Sequence, residues 1–214
     1  MLLPRRSDAV LLDLDGTLSE AGPAITAAVA VALAHVGHDP LDTHALHAFV
    51  GPPLEDSFLA LGLPDDVVDE AIRIYRQRYD LLASPLYPGV PAALIALRAA
   101  GFPLALATSK PQPFAELVVE GTGLAGLLDL VVGSDRTGGR VNKADVIGLA
   151  LTGLGHPRAA VMVGDRRHDV VGALAHGVPC IGVLWGYGGA DELLAAGATA
   201  VVSSPAELVA LLTG

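Results

Sequence analysis

The stretch Val10-Leu11-Leu12-Asp13-Leu14-Asp15-Gly16-Thr17-Leu18 is an apolar run that ends abruptly in two carboxylates and a glycine. Ala9 to Leu12 has the length and composition of a strand buried on both faces, and Gly16 marks a sharp turn as the chain leaves the sheet. Asp13 and Asp15 therefore fall at the strand's carboxyl end, where open α/β sheets bind ligands. A two-residue spacing on extended backbone points both the same way. At ~4 Å and an effective dielectric of ~20, two such charges repel by about 4 kcal/mol. The pair calls for a cation or a proton. A strand end whose aspartates merely cap the next turn would leave the same trace, so the rest of the chain has to decide.

A chain of 214 residues with 52% hydrophobic content can bury a full core, as one large domain or as one domain with an insertion. The net charge of -10 argues against a general affinity for nucleic acid polymers or anionic membranes, although an acidic protein can still hold a small anion locally. No stretch approaches the ~18 apolar residues of a membrane span, and Met1 to Arg6 is not followed by the apolar core of a signal peptide. The expectation is a cytoplasmic protein, monomeric or homodimeric. The one cysteine, Cys180, lies in the apolar run Val178 to Leu184 and reads as a buried, inert thiol. The chain has only two lysines, Lys110 and Lys143.

From Ser19 to about Leu82 no strand-like run occurs, and four helical patterns do. Ile25, Val29, Leu33 and Val36 form one stripe after Pro23, and Asp42 can cap a short second helix. Leu54, Phe58 and Leu61 mark a third, and Val68, Ala71, Ile72, Tyr75 and Tyr79 a fourth. Four short helices can close a small bundle. The hinges fall at Leu18-Ser19 and at Ser84 to Tyr87, which makes residues 19–86 an inserted helical unit and 1–18 with 87–214 the main domain.

After Gly89, helices and strands alternate. Strands are expected at Pro103–Ala107, Leu128–Val132, Ala159–Val163, Val178–Leu184 and Thr199–Val202, and a helix between Leu128–Val132 and Ala159–Val163 is capped by Asn142 after a glycine-rich loop. Such alternation implies a parallel, doubly wound α/β sheet. Polar residues recur at the strand ends. Thr108, Ser109 and Lys110 follow one strand, and Gly164-Asp165 another, with Asp169 four residues later. Lys143 opens a helix, where the helix dipole disfavours a cation unless an anion shares the site. Each residue has an ordinary structural explanation alone. Together they gather carboxylates, a hydroxyl and an ammonium on one sheet edge, which suits a phosphate dianion beside a hard divalent cation such as magnesium. His35, His38, His44 and His47 cluster in the insertion without matching acid or cysteine spacing and read as solvated helix faces.

With these residues in view the chain resembles the haloacid dehalogenase superfamily, in its phosphoglycolate phosphatase-like branch with a helical cap inserted after the first motif. Asp13-Leu14-Asp15-Gly16-Thr17 matches the first family motif, Thr108 the second, Lys143 the third and Gly164-Asp165 with Asp169 the fourth. The third match is the loosest, since many relatives have proline after the lysine and this chain has Ala144. Lys110 is the rival.

The resemblance implies a Rossmann-like core with a four-helix cap, and a magnesium-dependent phosphatase. Asp13 would be the nucleophile and Asp15 the general acid and base. Mg2+ would be held by Asp13, the backbone carbonyl of Asp15 and Asp165, with Asp169 in support. Gly16, Thr108, Ser109 and Lys143 would bind the phosphoryl group. The expected substrate is a small phosphorylated metabolite such as phosphoglycolate, read by cap residues including Gly51, Pro52 and Arg76. Nucleotides and sugar phosphates are the alternatives, and a phosphomutase is a more distant one; at 4% aromatic content no extensive base-stacking platform is evident, although Phe49, Phe58, Tyr75 or Tyr79 could supply one surface. A dehalogenase would have no use for Asp15, because a halide leaves without a proton. A phosphoryl-receiving signalling domain would lack so large an insertion.

Overall fold

The computed structural model describes residues 8–79, 84–135 and 142–214. The segment Met1 to Arg6, the expected last turn of the fourth helix near Leu82 and the glycine-rich loop before Asn142 lie outside the described residues. Six strands, β1 (Ala9–Leu12), β2 (Leu104–Pro111), β3 (Leu130–Ser134), β4 (Ala160–Gly164), β5 (Cys180–Val183) and β6 (Ala200–Val202), form one sheet in the order β3-β2-β1-β4-β5-β6. Every neighbouring pair is parallel. The order reverses between β1 and β4, and it is outside the carboxyl ends at such a switch point that doubly wound sheets open a crevice.

The helical insertion comprises α1 (Gly22–His35), α2 (Thr43–His47), α3 (Leu54–Ala60) and α4 (Asp65–Arg78). It has a core of its own, in which Ile25, Val29 and Leu33 of α1 meet Phe58, Val68 and Ile72. The rings of Phe49 and Phe58 pack edge to face at 5.1 Å. Asp42 caps α2 as its position predicts, its side chain accepting from the Ala45 N–H at 2.8 Å. The two connections to the sheet run side by side. Ser19 bridges Leu86 antiparallel, Glu20 N–H donates to the Pro85 carbonyl at 2.8 Å and Tyr87 N–H to the Leu18 carbonyl at 3.0 Å.

The period-2 alternation of the strands divides the main core in two. Val10, Leu12, Leu104, Leu106, Val161, Val163, Ile181 and Val183 face α5 (Val90–Ala99), α6 (Gln112–Gly121) and the C-terminal α10 (Pro205–Thr213). Ala9, Leu11, Ala105, Ala107, Met162 and Cys180 face α7 (Lys143–Gly153), α8 (Arg167–Leu174) and α9 (Ala190–Ala195). The second face carries mostly small side chains, so its helices can lie close. Cys180 is fully buried, its thiol raised well above its ordinary pKa by burial first.

Expectation and structure differ at several points. β2 does not stop at Ala107 but continues to Pro111, with its register to β3 jumping from Ala107↔Val132 to Pro111↔Ser134. Gly133 allows this, because a Cβ there would stand 2.7 Å from the Lys110 carbonyl. β3 starts at Leu130, two residues late, because the Asp129 carboxylate is taken by Leu104 N–H and Arg98 at 2.8 and 2.9 Å. Leu117, which the apolar pattern Phe114, Leu117 and Val118 of α6 would bury, is 50% exposed. The short α9 shows no helical stripe, since Leu193 is its one buried residue, and the sequence did not announce it.

Leu106 is fully buried in the larger core face. Leu106→Ala should therefore cost about 2–5 kcal/mol, lost transfer energy plus the cavity. It should appear as a lower urea midpoint at unchanged slope.

Candidate active site

Three strand ends and two helix starts converge on the crevice. Asp13 follows β1, Asp165 follows β4, and Thr108 lies in the bulged tail of β2. Lys143 is the first residue of α7 and Asp169 lies in the first turn of α8. The start of α7 is set by a capping box: Asn142 accepts from Asp145 N–H at 3.0 Å, and Asp145 accepts from Asn142 N–H. Gly172 then lets α8 approach α7, since a Cβ there would stand 3.1 Å from Lys143. Lys143 and Asp169 meet as a result.

Lys143 Nζ reaches Asp13 Oδ1 at 2.5 Å and Asp169 Oδ1 at 2.7 Å, with all three side chains at most 5% exposed. Asp165 completes the group, and carboxylate oxygens of Asp13, Asp165 and Asp169 lie within 4.8 Å of one another. Asp165 is held by Thr17 Oγ1 at 3.2 Å and by the Tyr187 N–H at 2.8 Å. Gly16, at φ 92°, turns the chain where any Cβ would collide with the Asp165 carboxylate.

Three buried carboxylates against one ammonium leave an excess of negative charge. Burial first, then Asp169 and Asp13, push the Asp165 carboxyl well above its usual range. Burial also raises Asp13, with Lys143 opposing. Burial alone would depress the Lys143 ammonium, yet Asp13 and Asp169 outweigh it and keep its pKa above the ordinary lysine value. An all-oxygen, buried, net negative set of this kind fits a hard divalent cation.

Asp15 does not join this group. The chain bends at Leu14 and the strand alternation stops there, so the two acids of the first motif diverge. Asp15 Oδ2 pairs instead with Lys110 Nζ at 2.9 Å, and Lys110 also donates to the Tyr79 hydroxyl at 3.1 Å. Both lysines of the chain are thus buried in the site, one against each aspartate of the motif. Asp165 and Asp169, four residues apart, would share a face if the segment were helical throughout, but α8 begins only at Arg167. They converge because Asp169 turns back, accepting the Arg166 N–H on Oδ2 at 3.1 Å. Thr108 is buried, and its hydroxyl accepts from Lys110 N–H at 3.2 Å without capping α6. The Ser109 carbonyl accepts from Ser134 Oγ at 2.8 Å.

Beside Asp15 and Lys110, a cavity of about 110 Å3 opens between sheet edge and helical insertion. Gly51, Pro52 and Arg76 all line it, as do Ser109 and four aromatic side chains, Phe49, Tyr75, Tyr79 and Phe114. Tyr75 and Tyr79 are stacked at 5.2 Å. Phe58, which was a candidate for this surface, is buried in the cap core instead. The sequence reading missed Arg166 and Tyr187. Its one available signal for Tyr187 was the unused loop Trp185-Gly186-Tyr187-Gly188-Gly189 after β5, glycine-rich because it wraps Asp165: a Cβ on Gly186 or Gly188 would strike that residue.

A family model described as haloacid dehalogenase-like hydrolase matches residues 10–183. The tyrosine-protein kinase PtkA of Mycobacterium tuberculosis is 39% identical over 186 residues, 85% of this chain, which spans 64% of that protein's length. A 5'-nucleotidase of Pseudomonas aeruginosa is 38% identical over 191 residues, 87% of this chain and 86% of its own. Among solved structures, a predicted phosphatase from Clostridium acetobutylicum superposes with a TM-score of 0.90 at 37% identity, covering 96% of this chain and 97% of that one. The strand order, the acids at the β1 and β4 ends and these similarities agree: the chain belongs to the haloacid dehalogenase-like hydrolase family.

Proposed function

We propose that this protein is a magnesium-dependent phosphomonoester hydrolase acting on a small phosphorylated metabolite through an aspartyl-phosphate on Asp13. The observation that carries the reading is the convergence of Asp13, Asp165, Asp169 and Lys143 in one buried cluster, with Asp15 beside it lining a cavity.

Asp13, Asp165 and Asp169 are the carboxylates that would hold Mg2+, with the Asp15 backbone carbonyl. The bound ion supplies charge neutralisation, which lets a phosphate dianion approach the acids. A carboxylate oxygen of Asp13 attacks phosphorus, and the bond to the leaving oxygen breaks. Asp15 gives that oxygen its proton, then takes one from the water that cleaves the aspartyl-phosphate. The Lys110 contact at 2.9 Å fixes the Asp15 carboxylate for both transfers. Lys143, with Thr108, Ser109 and the turn at Gly16, neutralises the phosphoryl oxygens as charge moves onto them. Residues 19–86 act as the cap over 1–18 and 87–214, and keep bulk water from the transfer.

For the leaving group, a phosphoglycolate-type acid needs a cation for its second carboxylate, and Arg76 is the arginine on the cavity wall. A nucleoside monophosphate is the second reading, and a specific observation favours it: the cavity is walled by Phe49, Tyr75, Tyr79 and Phe114, flat surfaces on which a base can stack. The Pseudomonas relative's name points the same way. A phosphoryl acceptor other than water, as the mycobacterial relative's name describes for that protein, would use the same aspartates.

Phosphate release should be measured with Mg2+ across phosphorylated acids, sugars, nucleotides and phosphotyrosine, with transfer scored alongside. Activity should vanish on exhaustive chelation, and persistence would refute the metal reading. A nucleotide preferred a hundredfold in kcat/KM, ~2.7 kcal/mol, would select the base-stacking cavity over the small acid. Asp13→Asn should abolish turnover while circular dichroism stays native, since shape is kept and the nucleophile lost.

Lys143→Met should lower kcat by about a hundredfold or more, since a charge-assisted contact in a dry site is worth several kcal/mol in the transition state. Lys110→Met, which touches the acid and not the phosphoryl group, should cost clearly less. Equal effects at the two positions would refute the assignment.

A further inference from the structure

Arg166 and Tyr187 take no part in the chemistry above, yet each joins the acid cluster to the helical insertion. Arg166 follows Asp165 in the chain, and its own N–H is held by Asp169 Oδ2 at 3.1 Å. Its side chain, 14% exposed, leaves the sheet and enters the insertion. Nη1 donates to the Val50 carbonyl at 2.6 Å and more weakly to that of His47 at 3.5 Å. Glu192 of α9 aims it, accepting from Arg166 Nε at 3.1 Å and from Arg167 N–H at 2.9 Å. The guanidinium is therefore preset by the core, and the insertion offers only backbone carbonyls. Gly51, at φ 103°, lies directly over the arginine stem, where a Cβ would come within 3.2 Å of Cγ. That same loop, through Gly51, Pro52 and Pro53, forms one wall of the cavity.

Tyr187 repeats the arrangement from the other side of Asp165. Its N–H donates to Asp165 Oδ2 at 2.8 Å. Its hydroxyl accepts from the N–H of Gly22 at 2.9 Å, the first residue of α1, where no side chain caps the helix. Its ring meets that of His47 edge to face at 5.4 Å. One peptide bond and one hydrogen bond thus lead from the Asp165 carboxylate to two separate points on the insertion.

We propose that Arg166 and Tyr187 are positioning residues that make divalent-cation binding and seating of the cap a single coupled equilibrium. A cation can be held only when the Asp165 and Asp169 carboxylates are fixed, and besides Thr17 Oγ1 and Lys143 Nζ the groups that fix them, Arg166 N–H and Tyr187 N–H, belong to the two residues that clasp the cap. Coupling of this kind is reciprocal: whatever seats the cap must tighten the cation, and the cation must seat the cap. The inference rests on the magnesium reading above, so the test separates the two.

Mg2+ is titrated into the full chain and followed by calorimetry and by the fluorescence of Trp185, the one tryptophan, whose indole N–H donates to the Thr17 carbonyl at 2.9 Å. Amide hydrogen exchange over residues 22–25 and 43–53 is read with and without Mg2+. In the wild-type chain Mg2+ should slow exchange in both segments. Tyr187→Phe removes one hydroxyl, which is hydrogen-bonded to the Gly22 N–H of the cap and to the neighbouring Tyr87, and it should nevertheless weaken Mg2+ binding severalfold and reduce the Mg2+-dependent protection. Arg166→Ala should do the same more strongly, raising KM more than it lowers kcat. Arg166→Lys should recover part of the loss, because an ammonium can still reach one carbonyl. Mg2+ affinities within twofold of wild type in folded Tyr187→Phe and Arg166→Ala, with protection unchanged, would overturn the coupling alone. A wild-type chain that binds no Mg2+ would overturn the coupling and the metal reading together.

Discussion

The arrangement of the core follows from one electrostatic constraint, that three carboxylates are buried within 4.8 Å of one another with a single ammonium among them. Burying unpaired charge is among the costliest things a fold can do, and the sheet provides for it locally. Lys143 satisfies Asp13 and Asp169 together, while Asp165 is served by a hydroxyl and a backbone N–H. The charge still left over makes the site receptive to a divalent cation and, through it, to a dianion. A structure organised only for stability would gain by exchanging such a cluster for apolar side chains.

The backbone around the cluster is shaped by the same constraint. Gly16 and Gly164 stand where any side chain would collide with the Asp165 or Asp169 carboxylate, and Gly172 admits α8 close enough to α7 for the Lys143 contact. The small residues on that face of the sheet, Ala9, Ala105 and Ala107, let those two helices lie near the strand ends from which the acids project. Packing, in other words, sets the reach of the clustered acids. Asp15 and Lys110 form a separate pair directed toward the cavity, so the two aspartates of one short motif serve two different environments. That division suits a nucleophile and an acid–base group, which need opposite protonation behaviour.

The helical insertion meets the core at more points than its two covalent connections. Tyr79 reaches Lys110, Arg166 reaches the Val50 carbonyl and Tyr187 reaches Gly22. Each core partner either belongs to the acid machinery or is bonded to it. The insertion and the acid cluster are consequently joined by side chains as well as by the chain, and those side chains are specific ones, a tyrosine hydroxyl and a guanidinium fork.

The sequence alone determined the doubly wound sheet, the helical insertion after the first strand and the residues Asp13, Asp15, Thr108, Lys143, Asp165 and Asp169 as the group to watch. These were legible because they depend on local rules: apolar runs, glycine at turns, capping at Asp42 and Asn142, and polar residues at strand ends. Which aspartate met which lysine was not legible, because a bend at Leu14 decides where Asp15 points, and Lys110 comes from a strand more than ninety residues later, in a tail whose bulge depends on Gly133 across the sheet. The aromatic wall of the cavity was legible in part: Phe49, Tyr75 and Tyr79 stood out in the insertion, but that Phe114 of α6 joins them while Phe58 is taken into the insertion's own core is a fact of tertiary packing only.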